Sequence, residues 1–476
     1  MNELLGPLFQ FKVKFAGLSF LAVAATFVVS VNLKAVSGPW DNPPPTPDSP
    51  GINGMSGTVV SVSTPAELKL ACETIGSDTT ILLQPGTYHL TTPAKLGAMG
   101  SHLSNVAIRG ATGNRNDVIL RGGSMSTNTA AHYGIQVFDA ADVLIADLSV
   151  GDCWYHPIQL SGASGASNVH IYNCRVFEAG EQSIKSHASD NCVIEYCVIE
   201  YATTSRWYYA GGIDVHIGQY WTVRKNLFRN IRGPASDPNV DAAILFWNNS
   251  REPLIEQNTF INCRTGIQIG LTSSSYCIGG MVRNNFMFRQ PGTVSNPNSG
   301  ILVWWSPSVS VLHNTAILQQ TGEAPIEFRD ANALIIRNNL VDAAGNVNAT
   351  PIWHRSGSFP ASSGNVIDAQ LDWFVNAAAG DLHLSLSASD ACFDQVDRLA
   401  DCLDDWDGDE RPSGPGMTDV GADEYDSGYI PPDKPSNKKK KSGCAVGAEF
   451  VIDPVRLIVL WLAVIAYLTG PKKRTA

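Results

Sequence analysis

Charge is scarce in this chain: Asp, Glu, Lys and Arg make up 16% of its 476 residues. Water-exposed helices lean on Glu, Lys and Ala, so the deficit argues against a helical protein. The charge that is present has the wrong sign for nucleic acid. The formal net charge is −11, whereas a phosphate backbone needs a basic face, so no nucleic-acid partner is expected. An acidic polysaccharide is not excluded, because it needs only a local basic or metal-bearing groove. Also missing is any second globular pattern, although 476 residues exceed one ordinary compact domain. A solenoid resolves that conflict, since each repeat is buried only against its neighbours and length becomes free. In place of helix formers the chain has 42 glycines and many Asn-rich turns, the profile of short stacked strands.

The repeat itself is visible. Short alternating segments such as GIQVF, PIQLS, SIKSH, GIDVH and GILVW place Ile at 135, 158, 184, 213, 244, 267, 301 and 326. Steps of 23 to 34 residues between these Ile positions fit one coil of three short strands with its turns. A second strand follows each at a nearly fixed offset, and the column at its end reads Leu148, Cys174, Cys197, Asn226, Asn258, Asn285, Asn314 and Asn339. Stacked Asn at one bend forms an asparagine ladder, each amide bonding to the next coil. The expected fold is therefore all-β, a right-handed parallel β-helix. Ahead of it, residues 64–90 read as a short amphipathic helix with Leu68, Leu70 and Ala71, a strand over Thr80–Leu83, and the turn Gln84-Pro85-Gly86-Thr87-Tyr88. This order resembles the N-terminal cap and first coil of pectate-lyase-like β-helices, where the helix plugs the open core. Residues 404–425 resemble a closing segment of bacterial β-helices, and the resemblance covers about residues 60–425.

Strand alternation decides which side chains point outwards. With Ile213 and Val215 inside, Asp214 and His216 face out. The same register gives one outward column of Gln136, Gln159, Lys185, Asp214, Leu245, Gln268, Leu302 and Glu327. A second column reads Phe138, Ser161, His187, His216, Trp247, Gly270, Trp304 and Arg329. Coils about 4.8 Å apart bring Lys185, His187, Asp214 and His216 into one solvent-facing cluster, with Trp247 one coil further. Exposed tryptophan serves no folding need, whereas a sugar ring stacks on its flat face. Any single outward His is more often decoration, so the expectation rests on the cluster. Arg206, Trp207, Tyr208 and Tyr209 fall on a loop beside it, and Arg251 and Arg264 flank the Trp247 coil, where an anionic sugar would meet them. A further outward column, Arg224, Glu256, Arg283 and Arg337, reads as a structural ion-pair ladder.

The segment Glu178–Asn191 resembles the region of alginate and chondroitin lyases that supplies calcium-binding acids and a catalytic lysine. Lys185 takes the lysine's place and Glu178 that of one acid, while Gly180 stands where a second acid would be. Asp214-Val215-His216 is similar to the Asp-Pro-His motif of mannuronan epimerases, with Val215 replacing proline. The acids of polygalacturonases and the calcium aspartates of pectate lyases are not evident. Lyases and epimerases share one step, removal of the carbon-5 proton beside a hexuronate carboxylate. That step needs a base near working pH and a cation to stabilise the enolate. The resemblance thus implies a polysaccharide lyase or epimerase with Lys185, Asp214 and His216 catalytic, and His187, Trp247, Arg251, Trp304 and Arg329 binding substrate. A non-catalytic glycan-binding or structural β-helix is the alternative. No metal ligand is assigned. Calcium is the one candidate ion, at Asp405–Asp409, where a structural turn is the preferred reading.

Both ends read as processing signals. Lys12 and Lys14 precede an apolar run, Phe15–Val31, and small residues follow, so residues 1–38 read as a signal peptide, with an uncleaved anchor as the alternative. Residues 39–58 form a proline-rich linker, 59–426 the β-helix and 427–443 a Pro/Lys/Ser linker. Residues 444–476 begin after Ser442-Gly443, carry an apolar stretch Leu457–Leu468 and end on Lys472-Lys473-Arg474. They resemble bacterial C-terminal sorting signals, with Cys444 as the processing and lipidation point; a membrane anchor is the other reading. An exported, surface-tethered monomer is expected. The ten cysteines are then free to form disulfides without being compelled to.

Overall fold

The computed structural model describes residues 37–46, 57–128, 131–161, 166–319, 324–343 and 350–426. Residues 1–36 of the expected signal peptide, the linker after 426 and Cys444 lie outside these residues. Three parallel sheets wind around one apolar core. A long sheet of twelve strands runs from Thr58–Val62 to Ala361–Ser363. A second sheet of ten strands, here the site sheet, runs from Ala94–Leu96 to Ile352–Gly357, and a third of ten from Gly86–His89 to Leu340–Val341.

The Ile column stacks as the sequence predicts. Ile135, Ile158, Ile184 and Ile213 are successive Cα partners in the site sheet, followed by Ile244, Ile267, Ile301 and Ile326, all fully buried. Alternation puts every second residue into the core, so a slip of one residue would turn each strand's apolar face to water. Such burial at each coil fixes the register.

The asparagine ladder closes the bend between the long and third sheets. Oδ1 of Asn258 accepts from both the backbone N–H (3.1 Å) and the side-chain amide (3.0 Å) of Asn226. Asn285, Asn314, Asn339 and finally Asn365 repeat the arrangement. Asn226 to Asn339 are fully buried. At the other end, Cys197 N–H donates to Asn226 Oδ1 and Cys174 N–H to Cys197 Sγ, so the column continues through thiols. The residue before each ladder position has positive φ, from Asp147, Asn173 and Tyr196 to Lys225, Gln257, Asn284, His313 and Asn338. Asn and Asp adopt that conformation readily; Tyr196, Gln257 and His313 are held there by the coils around them. The nine described cysteines are all free, and eight are buried.

Helix α1, Pro65–Glu73, caps the first coil, and Thr64 Oγ1 accepts from Glu67 N–H at its start. Leu68 and Ala71 are buried on the core, while Leu70 points to water at 60% exposure. Part of the proline-rich segment is packed as well. Trp40 is 1% exposed against Trp406, Tyr172 donates to Pro44 O, and Thr46 to Asp147. The segment after the last coil, including Phe374, Leu382, Trp406 and Val420, forms a second apolar cluster with Phe286, Phe288 and Leu340 of the third sheet. None of the helices among the described residues is long and apolar enough to cross a membrane.

Candidate active site

Adjacent strands of the site sheet pair Lys185 with Asp214 and His187 with His216, and the next pairing sets His216 beside Trp247. Register alone therefore delivers these five side chains to one patch. Asp214 is the centre. Its Oδ2 accepts from Lys185 Nζ, and its Oδ1 accepts from the Trp247 indole N–H at 2.8 Å and lies 3.4 Å from His216 Nε2. Lys185 Nζ is also 2.8 Å from His216 Nε2. An ammonium has no lone pair and must donate, so Nε2 is the acceptor and His216 is neutral in this arrangement. The His216 ring meets Trp247 edge to face, with centroids 4.2 Å apart.

Two expectations are corrected here. Asp214 does not face solvent: it is 2% exposed, because Lys185, His216 and Trp247 close over it. Leu245, Leu302 and Glu327 in the same outward column are buried too. Nor are the tryptophans exposed platforms. Trp247 and Trp304 are half-buried, with their indole N–H groups committed to Asp214 and to Glu327 (3.1 Å). Burial by itself would raise the Asp214 carboxyl's pKa. Its contacts with His216 and the ammonium of Lys185 outweigh it and hold the group below its ordinary value.

The remaining candidates divide. His187 is exposed, its ring 6.1 Å from that of His216. Arg251 is exposed in a separate two-stranded pairing with Cys277–Ile278, and none of the described hydrogen bonds joins it to the cluster. Arg264 is tied to Asn296 O, Val240 O and Asn239 Oδ1. Trp304 and Arg329 belong to another group around Glu327, where Arg329 lies over Trp305 (4.4 Å) and Arg355 reaches Glu327 Oε1 at 3.1 Å. The Arg224 column pairs as expected for Arg224 on Glu195 (2.6 Å) and Arg283 on Glu256 (2.7 Å), whereas Arg337 enters none of the described ion pairs and its buried Nε lacks a hydrogen bond. Glu178 sits apart, accepting from Ala202 N–H. Gly180 has no room for an acid, since a Cβ there would lie 1.9 Å from Trp154 O.

Three groups escaped the sequence reading. Glu181 lies 3.5 Å from His156 Nε2, and Asp241 accepts from Gln182 Nε2 at 3.0 Å. Burial pushes Asp241 up to about 6, helped by the negative charge of Asp214, and raises Glu181 against the pull of Arg206 and Lys185. Burial also drives His156 down to about 4, so it is neutral. A partial signal existed: counting three positions back from the core Ile residues gives His132, Tyr155, Glu181, Asp241, Arg264, Asn298 and Glu323, with Ala210 before Ile213 the exception.

Among the described residues, His383, Asp407 and Asp423 bring three potential metal-ligand atoms within 4.8 Å of one another. The imidazole there is already saturated, with Nδ1 2.5 Å from Asp381 and Nε2 3.0 Å from Asp407. Burial would lower its pKa, but Asp381 and Asp407 lift it to about 10. An imidazolium between carboxylates offers no lone pair to a metal. In the Asp405–Asp409 stretch, Asp405 Oδ1 accepts from the N–H groups of Gly408 and Asp409 and Oδ2 from that of Glu424. Those oxygens hold a turn, so the residues favour the structural reading over calcium.

No curated protein matches the chain. Solved structures resemble it distantly. A pectate lyase matches at 13% identity and TM-score 0.49, covering 78% of this chain and 98% of its own. The alginate lyase of Paenibacillus sp. str. FPU-7 matches at 15% and 0.44, covering 66% and 99%. The A-module of a mannuronan C-5 epimerase from Azotobacter vinelandii matches at 11% and 0.39, covering 64% and 94%. These likenesses concern the winding of the chain, not its chemistry. The family description "Right handed beta helix region" matches residues 99–217 and again 164–316, and with the three parallel sheets it identifies this protein as a right-handed parallel β-helix.

Proposed function

We propose that the protein processes a polysaccharide containing uronic acid, by abstracting the carbon-5 proton at the Lys185–Asp214–His216 cluster. The observation that carries this reading is the contact of Lys185 Nζ with both Asp214 and His216 Nε2. A neutral imidazole holding its lone pair against an ammonium is a base in waiting. An incoming hexuronate carboxylate competes for Lys185, and the lone pair is freed as the ammonium turns to the substrate. His216 Nε2 then takes the carbon-5 proton while the electron pair moves into the carboxylate, and Lys185 stabilises the enolate. Expulsion of the oxygen at carbon 4, which takes a proton from water and leaves as the hydroxyl of the released chain, gives an unsaturated product, as in a lyase. Return of a proton to the opposite face inverts carbon 5, as in an epimerase. Asp214 keeps Lys185 charged and in place.

A binding module without chemistry is the second reading. It is favoured by the fact that Lys185 is already satisfied by two partners. Incubation with a panel of uronate polymers separates the cases. Ultraviolet absorbance marks elimination, and incorporation of solvent deuterium into intact polymer marks epimerisation. Binding with neither signal sinks the enzyme reading. The terminal patterns support export and tethering through residues 444–476. Unchanged mass and surface display in Cys444→Ala would remove Cys444 as the processing and attachment point.

A further inference from the structure

The turn leading into the Gly211–His216 strand is riveted in place. Arg206 lies between two indoles, its Cζ 3.5 Å from the ring centre of Trp154 and 4.7 Å from that of Trp207. The same guanidinium donates to Gly180 O (2.9 Å) and Trp154 O (3.1 Å), and the Trp207 indole N–H donates to Gly180 O at 2.7 Å. Residues 154, 180 and 206–207 precede three successive strands of the site sheet, so the clamp fixes this turn to two neighbouring coils. Directly after the clamp stand Tyr208 and Tyr209, 52% and 40% exposed. Tyr209 stands two residues before the Gly211–His216 strand that carries Asp214 and His216, its ring centre 6.0 Å from that of Trp207; burial, and after it the charges of Asp214, Glu181 and Asp241, raise its phenol pKa.

Rings packed on a clamped indole, with centres 5.5 and 6.0 Å from that of Trp207, and left half open to water are an unusual use of apolar surface. A pyranose presents an apolar face of C–H groups to such a ring and hydroxyls to the phenol oxygen. Trp247 and Trp304 lack this freedom, because both are half-buried with their N–H groups engaged. We propose that Tyr208 and Tyr209 form a sugar-stacking subsite beside Lys185, Asp214 and His216, so that the uronate polymer lies along the Tyr208–Tyr209 rim and not along Trp247 and Trp304. This rests on the polysaccharide reading above.

Calorimetric titration of the full chain with galacturonate and mannuronate hexamers tests it. The double variant Tyr208→Ala/Tyr209→Ala should bind roughly tenfold more weakly, with the melting temperature and circular dichroism showing that the fold is kept. Trp304→Ala should bind like the parent. Where turnover is measurable, the double variant should raise KM and spare kcat. Undiminished binding in the double variant, or a larger loss in Trp304→Ala, overturns the subsite and leaves the polysaccharide reading standing. A parent chain that binds neither hexamer overturns both.

Discussion

Asp214 and Glu327 occupy equivalent positions on one sheet, and both are buried. Each accepts an indole N–H from a neighbouring coil, Asp214 from the following one (Trp247) and Glu327 from the preceding one (Trp304). Each also meets a cation from the opposite side, Lys185 or Arg355. A register shift in the last strand, between the partners of Phe328 and Arg329, makes Arg355 the extra residue that reaches Glu327. The two groups part at the position two residues on. Beside Asp214 stands His216, in reach of the same ammonium; beside Glu327 stands Arg329, turned over Trp305. An imidazole exchanges protons near neutral pH and a guanidinium does not. The scaffold thus supplies the same buried carboxylate twice, and the neighbouring column decides whether chemistry is available there.

The sharpest break of this comparison is His216→Ala. It should lower turnover by about 10²–10⁴-fold, the usual contribution of a positioned base, with binding retained; Glu327→Gln should leave turnover unchanged. Equal losses in the two variants would erase the distinction. Next in size is Asp214→Asn, which leaves Lys185 without its counter-charge. Breaking a buried pair costs about 3–5 kcal/mol, read as a fall in melting temperature. Glu327→Gln should cost less, about 1–2 kcal/mol, because Arg355 is 41% exposed and turns to water.

Acid titration sharpens the contrast further. The Asp214 carboxyl is depressed in the folded protein, so its stabilisation is full above the ordinary carboxylate pKa and is lost as pH falls through the depressed value. Denaturant midpoints followed down this acid limb should fall less steeply in Asp214→Asn than in the parent. The ladder supplies a control away from both carboxylates. Asn285→Leu strands Asn258 and Asn314, and should cost about 1–3 kcal/mol without changing turnover measured below the transition.

What the sequence revealed follows from what repeats. The Ile column and the ladder recur once per coil, and a position that recurs announces its environment. Strand alternation also told correctly that Lys185, Asp214 and His216 share a face. It was silent on what lies above that face, so Asp214 was expected in water and the tryptophans were expected bare. Burial there depends on side chains from adjacent coils folding over one another, which no single strand encodes. Glu181 and Asp241 lie in turns of unequal length, where the period is broken until the core Ile is used as the origin. Tyr196, Gln257 and His313 at positive φ have no local signature, since the stack imposes that conformation on them.

The bends of the coil are not equally free to change. At the ladder bend two residues separate Arg224 from Leu227, Glu256 from Thr259 and Arg283 from Phe286. The turn into the site sheet runs from Ala179 to Gln182 in one coil and from Arg229 to Ile244 in another. The turn leaving the site sheet varies too, from Phe138–Ala140 to Ile269–Met281, so insertions are tolerated on both sides of that sheet; Tyr209 and Asp241 sit on the seam leading into it. A designer seeking new glycan selectivity would graft loops into that seam while the frame beneath kept its pitch, much as interchangeable heads are fitted to one handle.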